Sequence, residues 1–176
     1  TNHFFNDTAT TEIYTLSLHD ALPIWHGLKI RYYNDEMISL AALSGIASQL
    51  HDALRERVWL KSGAYLVIEP TEALTVIDVN TGKNIAKKEM QENFLKVNIE
   101  AAEEIARQIR LRNISGIVIV DFINLESKKA EMELLNAFGA ALKKDPVPTQ
   151  IVEMTKLGLV EVTRKKIKKS LRESLS

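Results

Sequence analysis

The sequence contains LTVIDV at Leu74–Val79 and IVIVDFI at Ile117–Ile123, two runs that are β-branched and apolar at nearly every position. Runs of this kind are typical of central strands that are buried on both faces. A helical pattern at about Glu92–Arg112 connects them, so the right-handed crossover rule predicts that the two strands lie parallel or close together in one sheet. We therefore predict an α/β fold with a mixed, mostly parallel sheet flanked by helices.

The remaining elements extend this unit on both sides. Upstream we predict a short strand at Leu28–Tyr33 and an amphipathic helix at about Ala41–Arg57. A hairpin follows, whose arms are Val58–Leu60 and Tyr65–Glu69 and whose turn is at Ser62-Gly63. Downstream a helix at about Lys128–Lys144 is predicted to turn Met132, Leu135, Phe138, Ala141 and Leu142 inward. Two further strands are predicted at Ile151–Thr155 and Leu159–Thr163.

Composition narrows the class of protein without naming a partner. The chain has 176 residues, 45% of them hydrophobic, and its 23 basic residues balance its 23 acidic ones. The absence of cysteine excludes disulfides and thiolate metal sites, and no apolar run is long enough to span a membrane. We expect a cytoplasmic protein. Charge is nevertheless uneven, because Arg164–Arg172 holds six basic residues and no acidic one.

Residues 1–25 differ in composition from the rest of the chain, because they are polar and rich in threonine. The stretch NDTATTEIYTLSLHDALPI (Asn6–Ile24) resembles the conceptual translation of a sequencing adapter. The alternative is a genuine, weakly structured tail. In either case we predict no function for this segment and leave it out of the fold.

Two aspartates carry the chemistry that the sequence indicates. Asp78 and Asp121 each end an apolar run, and a carboxylate in such a place is costly unless it is paired, hydrogen-bonded or bound to a metal. Ligands bind beyond the carboxyl ends of parallel strands, so the two can converge on Mg²⁺. Asn80 points to the same side as Asp78 and can hold a carboxylate, a water or a phosphate oxygen. The alternative is that each aspartate caps a turn, although Phe122 and Ile123 extend the predicted strand beyond Asp121.

The residues around these aspartates resemble one family over a long stretch. TEALTVIDVNTGK (Thr71–Lys83), NIEAAEEIARQIRLRNISGIVIVDFI (Asn98–Ile123) and LGLVEVTRKK (Leu157–Lys166) resemble the ribonuclease E/G family, and KSGAYLVIE (Lys61–Glu69) fits it too. The resemblance implies that residues 58–176 are a DNase I-like catalytic subdomain. It also implies that residues 26–57 are the end of an RNase H-like subdomain with its connecting helix.

The resemblance implies endonucleolytic hydrolysis of single-stranded RNA in RNA processing and decay. Asp78 and Asp121 then match the aspartates that bind the catalytic Mg²⁺, and Asn80 matches the amide that assists at the scissile phosphate. Contacts to the RNA backbone are expected from a lysine-rich loop and from the start of the basic run, at Lys83, Lys87, Lys88, Arg164 and Lys165.

The same family has features that this sequence does not show. They are an N-terminal RNA-binding domain, a pocket for a 5′ monophosphate, and a zinc link through cysteines that joins protomers into oligomers. We therefore expect a truncated chain that keeps the metal site but cuts RNA poorly or not at all. We do not expect it to oligomerise through that link. The alternatives are a non-catalytic RNA-binding fragment, a purely structural α/β domain and a different phosphohydrolase.

Overall fold

The structure is a computed structural model that describes residues 33–35, 37–81 and 90–175. The chain divides into two compact units, residues 1–44 and 45–176. In the first unit, the Asp35 carboxylate accepts the backbone N–H groups of Met37 and Ile38, and Ser39 caps the short helix α1, Leu40–Leu43. Of the strand predicted at Leu28–Tyr33, residues 28–32 lie outside the described residues, and Tyr33 is not in a strand.

The helix predicted at about Ala41–Arg57 is interrupted. Helix α1 ends at Leu43, and α2 spans Ile46–Ala53. Between them Gly45 has a φ of 62°, in the left-handed region where glycine is accommodated most easily. The apolar stripe predicted the helical residues on both sides correctly, but it could not show that Gly45 adopts a left-handed conformation that ends the first helix.

The second unit is built on a six-stranded mixed sheet. Its elements after α2 follow in the order β1 (Arg57–Trp59), β2 (Tyr65–Pro70), β3 (Leu74–Asn80), α3 (Met90–Leu111), β4 (Gly116–Asp121), α4 (Lys128–Leu142), β5 (Thr149–Met154), β6 (Leu159–Arg164) and α5 (Leu171–Leu175). The strand order across the sheet is β1-β2-β3-β4-β6-β5. The predicted hairpin at Ser62-Gly63 is therefore confirmed as the β1–β2 pair.

The parallel pairing of the two central strands is confirmed, because β3 and β4 are parallel neighbours joined through α3. The prediction that the sheet is mostly parallel is wrong. The other four strand pairs are antiparallel. The α4 crossover also returns the chain in the same direction, but β6 inserts between β4 and β5 and runs opposite to both, as β2 does beside β3. The predictions of an α/β fold and of a mixed sheet flanked by helices are confirmed.

One face of the sheet carries the core, and we call it the covered face. Alternate residues of β3 and β4, such as Ile77, Val118 and Val120, are fully buried there with Ile105 of α3 and Phe138 of α4. Burying each such side chain contributes about 1.5–3 kcal/mol. The opposite set of side chains forms what we call the open face.

Two predictions about burial are wrong for a common reason. The central strands are not buried on both faces, since Ile117 on the open face is 51% exposed. On α4, Met132 is 60% exposed, and Leu134 occupies the buried position instead. Periodicity identifies residues that share a face, but the layer that covers the face comes from distant parts of the chain. Among the described residues, no helix is long and apolar enough to cross a membrane.

Candidate functional site

Asp78 and Asp121 lie directly opposite each other on the parallel strands β3 and β4. Both are exposed and both belong to the open face, because side chains alternate along a strand and their neighbours Ile77 and Val120 are buried on the covered face. Adjacent strands are about 4.8 Å apart. The register therefore brings two carboxylates together near the carboxyl ends of the parallel pair, where ligands of such sheets bind.

The electrostatics of this pair are those of two like charges held close together. Burial raises the pKa of Asp121, and the negative charge of Asp78 raises this pKa further. The Asn80 amide Nδ2 donates a hydrogen bond of 2.7 Å to Asp78 Oδ2. That bond holds the Asp78 carboxylate, while no hydrogen bond or ion pair to the Asp121 carboxylate is made by the described residues. A divalent cation between the two would relieve the repulsion.

The position of Asp121 is fixed from the covered face by a buried amide. Asn98 of α3 is fully buried, and its Nδ2 donates to the Ile123 carbonyl at 2.7 Å. The Ile123 backbone N–H donates in return to Asn98 Oδ1 at 3.0 Å. Phe122 packs edge-on against Phe138, with ring centroids 5.5 Å apart. The chain just beyond Asp121 is thus held by two hydrogen bonds and an aromatic contact.

A small cavity of about 110 Å³ opens beside Asp121. Its lining includes Asn124, Glu131 and Gly158, the last of these in the turn that connects β5 to β6. A larger cavity of about 380 Å³ lies at the opposite ends of the strands, between the β2–β3 turn and α5, and neither aspartate lines it. The carboxylates therefore lie beside a shallow depression on an accessible surface rather than in a deep pocket.

Turn capping does not account for these aspartates within the described part of the chain. No described backbone N–H donates to either carboxylate, and the hydrogen bond to Asp78 comes from a side chain. Strand β4 ends at Asp121, so the predicted continuation of the strand through Phe122 and Ile123 is wrong. The reason is the Asn98 side chain, which takes the Ile123 backbone groups that a neighbouring strand would otherwise bind.

The residues present fit a magnesium ion. Mg²⁺ is bound by one or two carboxylates and completes its shell with water and substrate phosphate oxygens. The described residues contain no cluster of three or more His, Cys, Asp or Glu side chains suited to a metal. The register brings two carboxylates together on the open face, and two carboxylates suit a hard cation that keeps most of its water.

Of the predicted RNA contacts, the two that the structure describes, Arg164 and Lys165, are not brought together with the aspartates. Lys83, Lys87 and Lys88 lie outside the described residues. Lys165 is exposed, but it follows Arg164, which pairs with Gly116 at the start of β4. The five-residue length from there to Asp121 corresponds to roughly 17 Å along the strand. Lys165 is therefore at the far end of the sheet from the carboxylate pair.

Arg164 corrects the prediction of an RNA contact more directly. Its side chain is 4% exposed and forms an ion pair with Asp145, with Nε 2.8 Å from Oδ2. Its Nη1 also donates to Asn113 Oδ1 at 2.8 Å and to the Ile114 carbonyl at 3.0 Å. Arg164 alternates with the buried Val160 and Val162 on the covered face, so its basic charge serves the fold.

Sequence reasoning also missed an aromatic cluster on the open face. Trp59 of β1 and Tyr65 of β2 are directly opposite each other, with ring centroids 5.1 Å apart. The Arg57 guanidinium lies 4.5 Å from the Tyr65 ring centroid and 5.9 Å from that of Trp59. The predicted turn alone did not give this register, because a two-residue turn at Ser62-Gly63 would pair Trp59 with Leu66. In the structure Leu60 N–H donates to the Ala64 carbonyl across a three-residue turn, and that turn sets Trp59 opposite Tyr65.

Comparison with known proteins gives a consistent result. A sequence model of the Ribonuclease E/G family matches residues 5–167. That span includes all of residues 6–24, whose interpretation as a translated adapter stays a prediction. The identities predicted for residues 1–25, 26–57 and 58–176 as separate segments stay predictions as well.

Individual relatives match over most of this chain. It is 48% identical over 140 residues to a protein named Ribonuclease E from Nostoc sp., covering 80% of this chain and 20% of that protein. It is 43% identical over 131 residues to Ribonuclease G of Haemophilus influenzae, and 41% identical over 133 residues to Ribonuclease G of Escherichia coli K12. Those alignments cover 74% and 76% of this chain and 27% of each relative.

The chain therefore spans between a fifth and three-tenths of the length of these relatives. The segments that carry the aspartates, Thr71–Lys83 and Asn98–Ile123, lie inside the residues matched by the family model. The match covers far more than half of the sequence, and the fold described above agrees with the α/β class that the resemblance implies. The chain belongs to the ribonuclease E/G family.

Proposed function

We propose that this chain carries the catalytic site of a magnesium-dependent endoribonuclease that hydrolyses phosphodiester bonds of single-stranded RNA. The observation that carries the proposal is the register of β3 and β4, which sets Asp78 directly opposite Asp121 on an accessible face. The names of the relatives, Ribonuclease E and Ribonuclease G, support the reaction class. A role in RNA processing and decay and a cytoplasmic location belong to the same proposal.

Each side chain has a distinct part in the proposed reaction. Asp78 and Asp121 provide the negative charge that holds Mg²⁺, and Asn80 keeps the Asp78 carboxylate in one orientation through its hydrogen bond. When bound, the metal supplies positive charge for the phosphate oxygens and lowers the pKa of a bound water. The open face supplies access, because a flexible single strand can reach a carboxylate pair that a deep pocket would screen.

Asn98 has a positioning part in this proposal. It is buried behind the site and reaches only backbone atoms of Ile123, so it touches neither substrate nor metal. Two hydrogen bonds from one amide restrict how far Asp121 can move relative to Asp78. Preorganising charged groups in this way reduces the reorganisation needed as charge develops on the phosphate.

The test is cleavage of a fluorescent single-stranded RNA by the purified chain, with Mg²⁺ or with a chelator. We expect any cleavage by this chain to be weak and to occur only with Mg²⁺, and we expect its rate to fall by about 10²–10³-fold in Asp78→Asn and in Asp121→Asn. Asp52→Asn is the matched control, because it makes the same chemical change at an exposed residue of α2 whose partner is Arg55. Circular dichroism of all variants checks that the fold is kept.

Two outcomes would count against the proposal. Cleavage that persists undiminished in both variants would remove the carboxylate pair from the reaction. RNA binding without any cleavage, indifferent to chelator and weakened steeply by salt, would favour a non-catalytic RNA-binding chain instead. Melting temperature with and without Mg²⁺ gives a separate measure of metal binding, because a ligand of the native state stabilises it by mass action.

A further inference from the structure

The aromatic cluster on β1 and β2 lies in line with the proposed catalytic site. Across the sheet, Arg57 pairs with Val67, Val67 with Asp78, and Asp78 with Asp121. The adjacent row runs from Trp59 to Tyr65 to Asn80. All these residues belong to the open face, so an extended ligand can follow both rows without crossing any strand or helix that the structure describes.

We propose that Trp59, supported by Tyr65 and Arg57, is a stacking platform for a nucleobase of the single-stranded RNA whose phosphate lies at the carboxylate pair. This inference rests on the proposed function for the phosphate position only. The platform itself rests on the geometry of the cluster. It supplies a substrate contact that lies near the carboxylates, in contrast to the predicted contact at Lys165.

The exposure of the rings determines which residue makes the contact. Trp59 is 63% exposed, while Tyr65 is half-buried and has the Arg57 guanidinium over its ring at 4.5 Å. The two rings meet at 56°, a tilted contact, and Trp59 stays mostly exposed beside Tyr65. Tyr65 and Arg57 restrict the movement of the indole, so little freedom is lost when a base stacks on it.

The chemistry of the cluster fits nucleic acid better than an apolar partner. Proteins that bind single strands combine aromatic side chains, on which bases stack, with cations that meet the backbone, and arginine adds a cation–π contribution. Arg57 is exposed and supplies such a charge within the cluster. A purely apolar partner would leave this charge uncompensated at the contact.

The spacing is also compatible with one continuous ligand. Two strand separations connect β1 to β3, which corresponds to about 10 Å between the Trp59 and Asn80 backbones. A strand of RNA with a phosphate at Asp78 and Asp121 therefore has neighbouring bases within reach of the indole. Stacking is tolerant of base identity, so the platform would position the strand without selecting a sequence.

The test is binding of a labelled single-stranded oligonucleotide by the full chain, in chelator so that no cleavage occurs. We expect Trp59→Ala to weaken binding by about 5- to 100-fold, the range of a single base–aromatic stack. Trp59→Phe should keep most of the affinity. Met132→Ala is the control, since Met132 is similarly exposed, at 60%, but lies on α4. An oligonucleotide of abasic sites should bind the Trp59→Ala variant and the unaltered chain alike.

Fluorescence gives a direct reading of the stack. The chain has two tryptophans, so Trp25→Phe leaves Trp59 as the only emitter. We expect oligonucleotides with bases to quench its emission and abasic ones to leave it unchanged. Unaltered affinity in Trp59→Ala, absence of quenching, or no detectable RNA binding by the unaltered chain would overturn the platform.

These experiments distinguish a failure of the stacking platform from a failure of the proposed RNA cleavage. Loss of affinity in Trp59→Ala from a chain that never cleaves RNA would keep the platform and reject the reaction. Magnesium-dependent cleavage with normal affinity in Trp59→Ala would keep the reaction and reject the platform. A rise in molecular mass with concentration that Trp59→Ala abolishes, with no change in RNA affinity, would assign the cluster to contact between copies and reject the proposal.

Discussion

Carboxylates occupy opposite surroundings at the two ends of β4 and β6. Near the start of β4, the Asp145 side chain is 1% exposed and binds Arg164. It also accepts the Val147 N–H at 2.9 Å and the Thr149 hydroxyl at 3.2 Å. At the other end, Asp121 faces a second carboxylate, Asp78, on an exposed surface.

The difference appears in the pKa values of the two acids, which shift in opposite directions from their ordinary value. Burial alone would raise the pKa of Asp145, but hydrogen bonds from Arg164 and the Val147 N–H and the charge of Arg164 outweigh it, so the pKa is lowered. Burial and the charge of Asp78 both raise the pKa of Asp121. One end of the sheet uses its charges to stabilise the fold, and the other holds two carboxylates that repel each other.

The largest effect is expected from removing the cation of the buried pair. Arg164→Ala leaves the Asp145 charge buried without its partner, and we expect a loss of about 3–5 kcal/mol in the free energy of unfolding. Urea denaturation measures it. Lys165→Ala, one residue further along and exposed, should stay within about 0.5 kcal/mol of the unaltered chain. Equal stability of the two variants would remove the contrast between the ends of the sheet.

A smaller effect is expected from acid. Because the pKa of Asp145 is lowered in the fold, its contribution to stability is complete above the ordinary carboxyl value of about 4. That contribution is lost as pH falls through the lowered value. We expect unfolding free energy, measured between about pH 6 and pH 2.5, to fall less steeply in Arg164→Ala than in the unaltered chain. Parallel pH profiles would contradict the assignment of the buried charge to Asp145.

The smallest effect is expected from Asp121→Asn, and its sign should be opposite to that of the same change at the buried Asp145. At neutral pH in chelator, Asp121→Asn removes a repulsive charge and should raise stability, by no more than about 0.5 kcal/mol. Asp145→Asn removes the negative charge that attracts Arg164 and should lower stability. Melting curves of the two variants sharpen the comparison, because the chemical change is identical. Added Mg²⁺ should stabilise the unaltered chain but not Asp121→Asn, and a purely structural pair would show no such difference.

The local order of elements followed from the sequence because it depends on neighbouring residues. The apolar runs at Leu74–Val79 and Ile117–Ile123 predicted two adjacent parallel strands, and Ser62-Gly63 predicted the hairpin. The convergence of Asp78 with Asp121 followed from the same crossover rule. The proportion of parallel pairs did not follow, because β2 folds back beside β3 and β6 folds back between β4 and β5, so that each places an antiparallel strand beside its neighbours.

What the sequence alone determined about this chain is the pair of strands, the two carboxylates that they carry and the amide beside them, since strand alternation and one crossover suffice to place these. Only the tertiary structure decided which face of the sheet is covered and which charges are buried. Arg164 stands at the start of a basic run, yet Asp145, 19 residues earlier in the chain, binds it inside the fold. Burial of a charge depends on a partner brought from a distance, and no local pattern in a sequence records that partner.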